Sequence, residues 1–188
     1  PYVSGHFLPD VAKLVPIGIA RESLRHAREL EEAEEAIPYF DAVEGELEWR
    51  SGNIEASLAL CQKCLKELND FEVVLRSRVN LIAADSLRRL KRLPEAMEMY
   101  RKALENGGAF FRLLDIPIPI SIAEDGHPFS IEWARRLIES PRFVACDQGF
   151  LLVLRASDTG VFFEMRRPDR TLHCKGSVES PPSTELMG

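Results

Sequence analysis

An internal repeat constrains the fold of the N-terminal half of this chain more than any other feature of its sequence. When the chain is shifted so that Cys61 falls on Tyr100, the segment CQKCL at 61–65 aligns with YRKAL at 100–104. This displacement, which we call the repeat shift, also aligns Gly45 with Ala84. Nearly every aligned pair is small on small or apolar on apolar, as expected where the same packing is built twice. The repeat therefore predicts two copies of one supersecondary unit.

Each copy has the pattern of a helical hairpin. In the first, a helix ends at the Gly52-Asn53 turn, and the next helix has apolar residues three or four positions apart, at Ile54, Leu58, Cys61 and Leu65. In the second, a longer helix precedes one that opens at Pro94 and ends at Gly107-Gly108. A proline in the first helical turn costs no hydrogen bond, and glycine commonly follows the last turn. We therefore expect four helices in two hairpins.

The second copy resembles the tetratricopeptide repeat (TPR), whose hairpins have Gly or Ala in the first helix and Ala, an aromatic residue and Ala in the second. These positions are occupied by Ala84, Ala96, Tyr100 and Ala103. The first copy departs from the family at the second-helix positions, which are Ser57, Cys61 and Cys64. The resemblance covers residues 40–107 and implies a TPR-like α-solenoid. Because such hairpins bury their faces only against neighbours, the helical pattern upstream of Pro38 is expected to supply a further stacking layer.

The pattern of apolar residues and prolines in the sequence changes after Gly107. The segment DIPIPISI contains Pro117 and Pro119, which cannot donate to a ladder and so predict an edge strand or an extended link. A short helix, SIEWARRLIES, follows, and then RFVACD, FLLVLRA, VFFEMRR and TLHCKGSV are separated by turn residues. The predicted fold class is α+β. It has a helical repeat domain over 1–108, a small β-α-β-β-β domain with an antiparallel meander over 109–178, and a disordered tail over 179–188.

The spacing of Cys61 and Cys64 raises the question of redox or metal chemistry. A thioredoxin-like site needs the first cysteine at a helix N-terminus, whereas here about two turns of predicted helix precede it. Zinc needs two more ligands, and the nearest further cysteine-histidine pair, at 173–174, is far along the chain. Packing is therefore the favoured interpretation, with zinc and redox chemistry as alternatives. Cys146 and Cys174 are interpreted as buried free thiols, with a disulfide between them as the alternative.

Composition and motifs argue against several function classes. The net charge of -6 argues against nucleic-acid binding, which depends on Lys and Arg neutralising phosphates. No apolar run approaches the ~20 residues that span a bilayer. We find no glycine-rich phosphate loop, no catalytic triad and no short histidine spacing, so we expect no enzyme activity, cofactor or metal. Sparse cysteines favour the cytoplasm, and a periplasmic location remains the alternative, because an upstream export signal could have been removed.

The remaining candidate for function is a binding surface. In TPR stacks the first helices of the hairpins line a concave groove, and the resemblance implies that this groove binds a protein or peptide. The implied partner-binding residues are Glu46, Trp49, Arg50, Arg78, Leu81, Asp85, Arg88 and Arg89. The expected function is a non-enzymatic scaffold. In the alternative, the C-terminal domain binds a ligand or mediates assembly and the repeats are a spacer or an oligomerisation surface. Whether the chain forms homo-oligomers stays open.

Overall fold

The chain divides into two compact units, Pro1–Phe110 and Phe111–Gly188. The computed structural model describes residues 16–31, 34–107, 113–157 and 160–179. The first unit is helical, and the second contains the strands, so the α+β class predicted from the sequence is confirmed. The predicted boundary after residue 108 and all but the first residue of the predicted disordered tail lie outside the described residues. No helix in the described ranges is long and apolar enough to cross a membrane.

Unit 1 contains the helices of the two predicted hairpins. Its elements are α1 (Ile17–Leu30), a short 3-10 helix (Glu34–Ala36), α2 (Ile37–Arg50), α3 (Ile54–Glu67), α4 (Val73–Arg89) and α5 (Leu93–Gly107). The helix pairs α2–α3 and α4–α5 are the two copies of the repeat. Each helix packs on the next along the chain, and α2 also contacts α4. The first helices of the two hairpins are therefore neighbours.

The close packing of the two helices of the first hairpin depends on small residues at their contact. A Cβ at Gly45 would lie 3.1 Å from the Cys61 Sγ, and the Ser57 hydroxyl donates a hydrogen bond of 2.7 Å to the Gly45 carbonyl oxygen. The backbones of α2 and α3 therefore approach closely at this point. The turns also correspond, because Gly52 and Lys91, which the repeat shift aligns, both have positive φ, of 85° and 61°. The repeat thus extends to backbone conformation.

Helix α1 packs antiparallel on α2, as expected of an additional layer. Leu24 is buried against Val43 and Leu47. Arg28 near the end of α1 pairs with Asp41 near the start of α2, at 3.0 Å. Helix α1 therefore adds a layer to the first hairpin, and Asp41 also pairs with Lys63 of α3.

The described part of unit 2 contains the helix α6 and a five-stranded mixed sheet. Its elements are β1 (Ile118–Glu124), α6 (Pro128–Glu139), β2 (Phe143–Ala145), β3 (Phe150–Ser157), β4 (Gly160–Arg166) and β5 (Leu172–Glu179), and the spatial order of the strands is β2-β1-β3-β4-β5. Strands β3, β4 and β5 form the predicted antiparallel meander. The predicted β-α-β-β-β order is corrected, because four strands follow α6. The predicted edge position of β1 is also corrected, because β1 lies inside the sheet and pairs in parallel with both β2 and β3.

Pro119 is accommodated inside the sheet because its nitrogen faces a place where no ladder bond is needed. The Ile118 N–H donates to the Arg142 carbonyl, and the Ile120 carbonyl accepts from the Cys146 N–H, each at 2.8 Å. Since alternate residues of a parallel strand bond to opposite sides, Pro119 faces β3, whose pairing with β1 begins only at Ile120. The inference that proline requires an edge therefore fails here.

The core of unit 2 lies between α6 and one face of the sheet. Leu152, Leu154 and Val161 are buried there, and Trp133 and Leu137 of α6 pack against them. All four cysteines of the chain are free. A Cys146–Cys174 disulfide is excluded by the topology, because Cys146 follows one edge strand and Cys174 lies in the other. Cys174 is exposed and Cys146 half-buried, so the expectation of buried thiols is also corrected.

Candidate partner-binding site

Asp85 is the centre of a polar cluster between α2 and α4. Its carboxylate is 1 % exposed and accepts a hydrogen bond of 2.8 Å from the indole N–H of Trp49. On its own helix it accepts two bonds from the Arg88 guanidinium, at 2.6 and 3.1 Å, and one ion pair of 2.7 Å from Arg89. A buried carboxylate needs such partners, because an isolated charge in the protein interior is costly. Asp85 therefore fixes the positions of two arginines and a tryptophan.

Glu46 has the same role one repeat earlier. It is also 1 % exposed, and it accepts hydrogen bonds of 2.8 and 3.1 Å from the fork of Arg78 on α4. Arg50, one helical turn further on, contacts it at 2.5 Å. The repeat shift aligns Glu46 with Asp85 and Arg50 with Arg89. Each copy of the repeat thus carries a buried acid with an arginine one turn later, and each acid also bonds to the neighbouring first helix.

The exposed part of this cluster is a cationic surface beside an aromatic ring. The guanidinium of Arg89 lies 5.3 Å from the centroid of the Trp49 ring, which is within the range of a cation–π contact. The side chains of Arg89 and Arg88 are 43 % and 26 % exposed. Beneath them, burial and the nearby Asp85 carboxylate raise the pKa of Tyr100, so this phenol stays neutral at ordinary pH. Arg88, Arg89 and Trp49 define what we call the arginine surface.

The eight residues predicted for a groove divide by burial. Glu46, Trp49, Arg78, Leu81 and Asp85 are buried; Arg50 and Arg88 are half-buried; Arg89 is exposed. Leu81 has no exposed surface and does not line a groove in this structure. The buried carboxylates position the arginines and are not themselves available to a ligand. Of the eight predicted residues, Arg50, Arg88 and Arg89 are therefore the ones that keep a substantial exposed side-chain surface.

One buried carboxylate of the helical unit was not predicted from the sequence. Asp41 is 3 % exposed and pairs with Arg28 at 3.0 Å and Lys63 at 2.8 Å. It ties α1, α2 and α3 together, whereas Glu46 and Asp85 tie α2 to α4. The sequence carries a signal for the latter pair, namely their equivalence under the repeat shift. The same shift aligns Asp41 with Asn80, a polar residue that is also buried.

Cys61 and Cys64 are packed inside unit 1. Both are fully buried, and burial raises the pKa of each thiol to about 12. The Cys64 thiol donates to the Pro38 carbonyl oxygen at 3.2 Å. Within the described ranges no group of three or more His, Cys, Asp or Glu residues could hold a metal ion. The geometry therefore favours the packing interpretation, since a reactive cysteine needs an accessible thiolate.

We expect two of the four thiols to be unreactive in the folded protein. Cys61 and Cys64 are buried and have raised pKa values, whereas Cys174 is exposed. Alkylation with iodoacetamide near pH 8, followed by peptide mass spectrometry, should label Cys174 rapidly and Cys61 and Cys64 only after urea unfolding. Equal labelling rates of Cys61 and Cys174 in the native protein would contradict the packing interpretation.

Comparison of the chain with models of protein families, with curated proteins and with solved structures finds no match. The assignment of function therefore depends on the geometry described above.

Proposed function

We propose that the helical unit is a non-enzymatic, TPR-like interaction module that binds an acidic peptide segment of a partner protein at the arginine surface. The observation that carries the proposal is the fixation of Arg88, Arg89 and Trp49 by the buried Asp85. Guanidinium forks bind carboxylates with two parallel hydrogen bonds. Arginines already held in place lose less side-chain entropy on binding, which favours affinity. Trp49 is buried and lies beside the guanidinium of Arg89, so its ring helps to hold this arginine in place.

The charge balance of the cluster also favours an acidic ligand. Arg88 and Arg89 both pair with the carboxylate of Asp85. These two arginines and one carboxylate leave one positive charge in excess, although the whole chain is negative. A local field opposite in sign to the net charge steers acidic segments to this surface. The same excess predicts that binding weakens as salt concentration rises.

A second candidate is supported by an apolar cleft in unit 2. The cleft has a volume of about 220 Å³ and is lined by Trp133, Leu137, Phe143, Leu152, Leu154, Val161, Phe163 and Val178. Ligand pockets usually measure ~300–1,000 Å³, so this cleft fits a single apolar side chain or a very small apolar ligand. It supports the alternative in which unit 2 binds the ligand, and it has no charged lining residue to give specificity.

Peptide selection on the full chain tests the proposal. A phage-displayed random peptide library should yield sequences enriched in Asp and Glu. Their affinity for Arg89→Gln should be about tenfold weaker, the loss expected for one charge-assisted hydrogen bond. Arg89 is the suitable position, because Asp85 keeps Arg88 and Trp49 as partners when Arg89 is replaced.

Two further variants serve as controls for this measurement. Arg136→Gln removes an exposed arginine that pairs with Glu132 on α6, and the affinity should stay unchanged. Val178→Ser alters the lining of the apolar cleft. If the selected peptides lose affinity for Val178→Ser and retain it for Arg89→Gln, the second candidate replaces the first.

A further inference from the structure

Exposed apolar side chains in unit 1 gather at one end of its helices. In the described part of this unit, the large apolar residues that are exposed are Ile19, Leu30, Ile37, Phe71, Val73 and Val74. Phe71 is 90 % exposed and Leu30 83 %. All except Ile19 lie where α1 ends and where α2 and α4 begin. Scattered surface hydrophobics need no explanation, but a group of them commonly marks an interaction site.

The contacts between helices show that these residues belong to the same end. Because α1 runs antiparallel to α2, Leu30 at the end of α1 lies towards Ile37 at the start of α2, as the Arg28–Asp41 pair requires. The Tyr39 hydroxyl of α2 donates a hydrogen bond of 2.7 Å to Glu72, the residue before α4. Phe71, Val73 and Val74 flank Glu72 in the chain. We call Leu30, Ile37, Phe71, Val73 and Val74 the apolar end.

Acidic residues surround the apolar end. The described residues of the segments 29–37 and 66–76 include seven carboxylates, which are those of Glu29, Glu31, Glu34, Glu35, Glu67, Asp70 and Glu72, against Lys66 and Arg76. Most of these acidic side chains are exposed, and Asp70 is almost fully so. The immediate surroundings of the apolar end are therefore strongly acidic.

We propose that the apolar end docks an amphipathic helix of a partner protein that carries Lys or Arg beside its apolar face. The acidic surroundings supply the complementary charge and argue against an anionic membrane as the occupant. The spacing also suits a helix. Packed helices such as α2 and α4 lie ~8–10 Å apart, and seven residues of an α-helix rise about 10 Å. Apolar residues two turns apart on the partner would thus reach both Ile37 and Val74.

The test measures binding of a defined peptide to the full chain. The probe is a fluorescein-labelled amphipathic peptide of about four helical turns, built from leucine and lysine. Fluorescence anisotropy should show binding to the wild type and about tenfold weaker binding to Phe71→Ser/Val74→Ser. The matching peptide with glutamate in place of every lysine should not bind. Both replaced side chains are exposed, so circular dichroism should show an unchanged fold.

Controls separate this surface from the arginine surface and from nonspecific adsorption. Ile19→Ser replaces an exposed apolar residue at the other end of α1, and Arg89→Gln alters the arginine surface; neither should change the affinity for the leucine–lysine peptide. Equal affinity for wild type and Phe71→Ser/Val74→Ser would overturn the proposal. It would also be overturned if sedimentation showed that this variant converts a wild-type dimer to a monomer, because the occupant would then be a second copy of the chain.

Discussion

Replacement of Asp85 by alanine should lower the free energy of unfolding of the helical unit by about 3–5 kcal/mol, the cost of removing one partner from a buried charge cluster. The carboxylate accepts from Trp49, Arg88 and Arg89 and has almost no exposed surface. Without it, the buried Trp49 indole N–H loses its acceptor and two neighbouring guanidinium groups lose their counterion. Urea unfolding followed by far-ultraviolet circular dichroism measures the loss.

The matched control for Asp85→Ala is Glu95→Ala on α5. Glu95 pairs with Arg92 on the surface, where both side chains are about half exposed. Exposed pairs contribute little to stability, so the unfolding midpoint should be unchanged. If Asp85→Ala proved as stable as Glu95→Ala, the cluster would not hold the arginine surface in place, and the preorganisation argument for ligand binding would fail.

Replacement of Gly149 by alanine should destabilise unit 2 by about 3 kcal/mol, at the upper end of the usual cost of overpacking. A Cβ at this position would lie 2.5 Å from the Pro119 carbonyl oxygen and 2.6 Å from its carbon. Both atoms belong to the backbone of an interior strand and cannot move aside as a flexible side chain would. The short connection from β2 to β3 therefore needs glycine where it passes β1.

Thermal unfolding monitored by the fluorescence of Trp133 reports on Gly149→Ala, because Trp133 packs on the sheet of unit 2. Gly18→Ala is the same chemical change at a place where nothing lies within 4 Å of the new Cβ. It should be neutral or slightly stabilising, since alanine favours helix more than glycine does. A Gly149→Ala protein with the wild-type transition would show that β1 and the β2–β3 connection are not packed as described.

The helices of unit 1 follow from local patterns, but its polar cluster does not. Apolar spacing and turn residues predict the two hairpins, because each helix must bury one face. The TPR resemblance predicts Glu46 and Asp85 as partner-binding residues of a groove, whereas both are buried, which is rare for carboxylates. Their burial depends on the contact between α2 and α4, which no single-helix pattern contains. Only the repeat shift, which aligns the two acids and their following arginines, points to a shared structural role.

The wrong predictions for the sheet of unit 2 have a different origin. Strand positions were predictable from short apolar segments between turns, whereas strand partners were not. The connection at residues 146–149 looks like a hairpin turn, but it carries the chain from one side of β1 to the other. Pro119 suggested an edge because proline lacks a donor. Its position next to Gly149, before β3 pairing begins, removes the need for that donor.

The most direct test of the proposed function uses the two tryptophans of the chain, one in each unit. Trp49 donates its indole N–H to Asp85 beneath Arg89, and Trp133 lines the apolar cleft. In a proton–nitrogen correlation spectrum of the full chain, each indole gives one resonance. Titration with the tightest-binding acidic peptide from the selection should shift the Trp49 resonance and leave Trp133 in place. A shift of Trp133 with an unmoved Trp49 would contradict binding at the arginine surface.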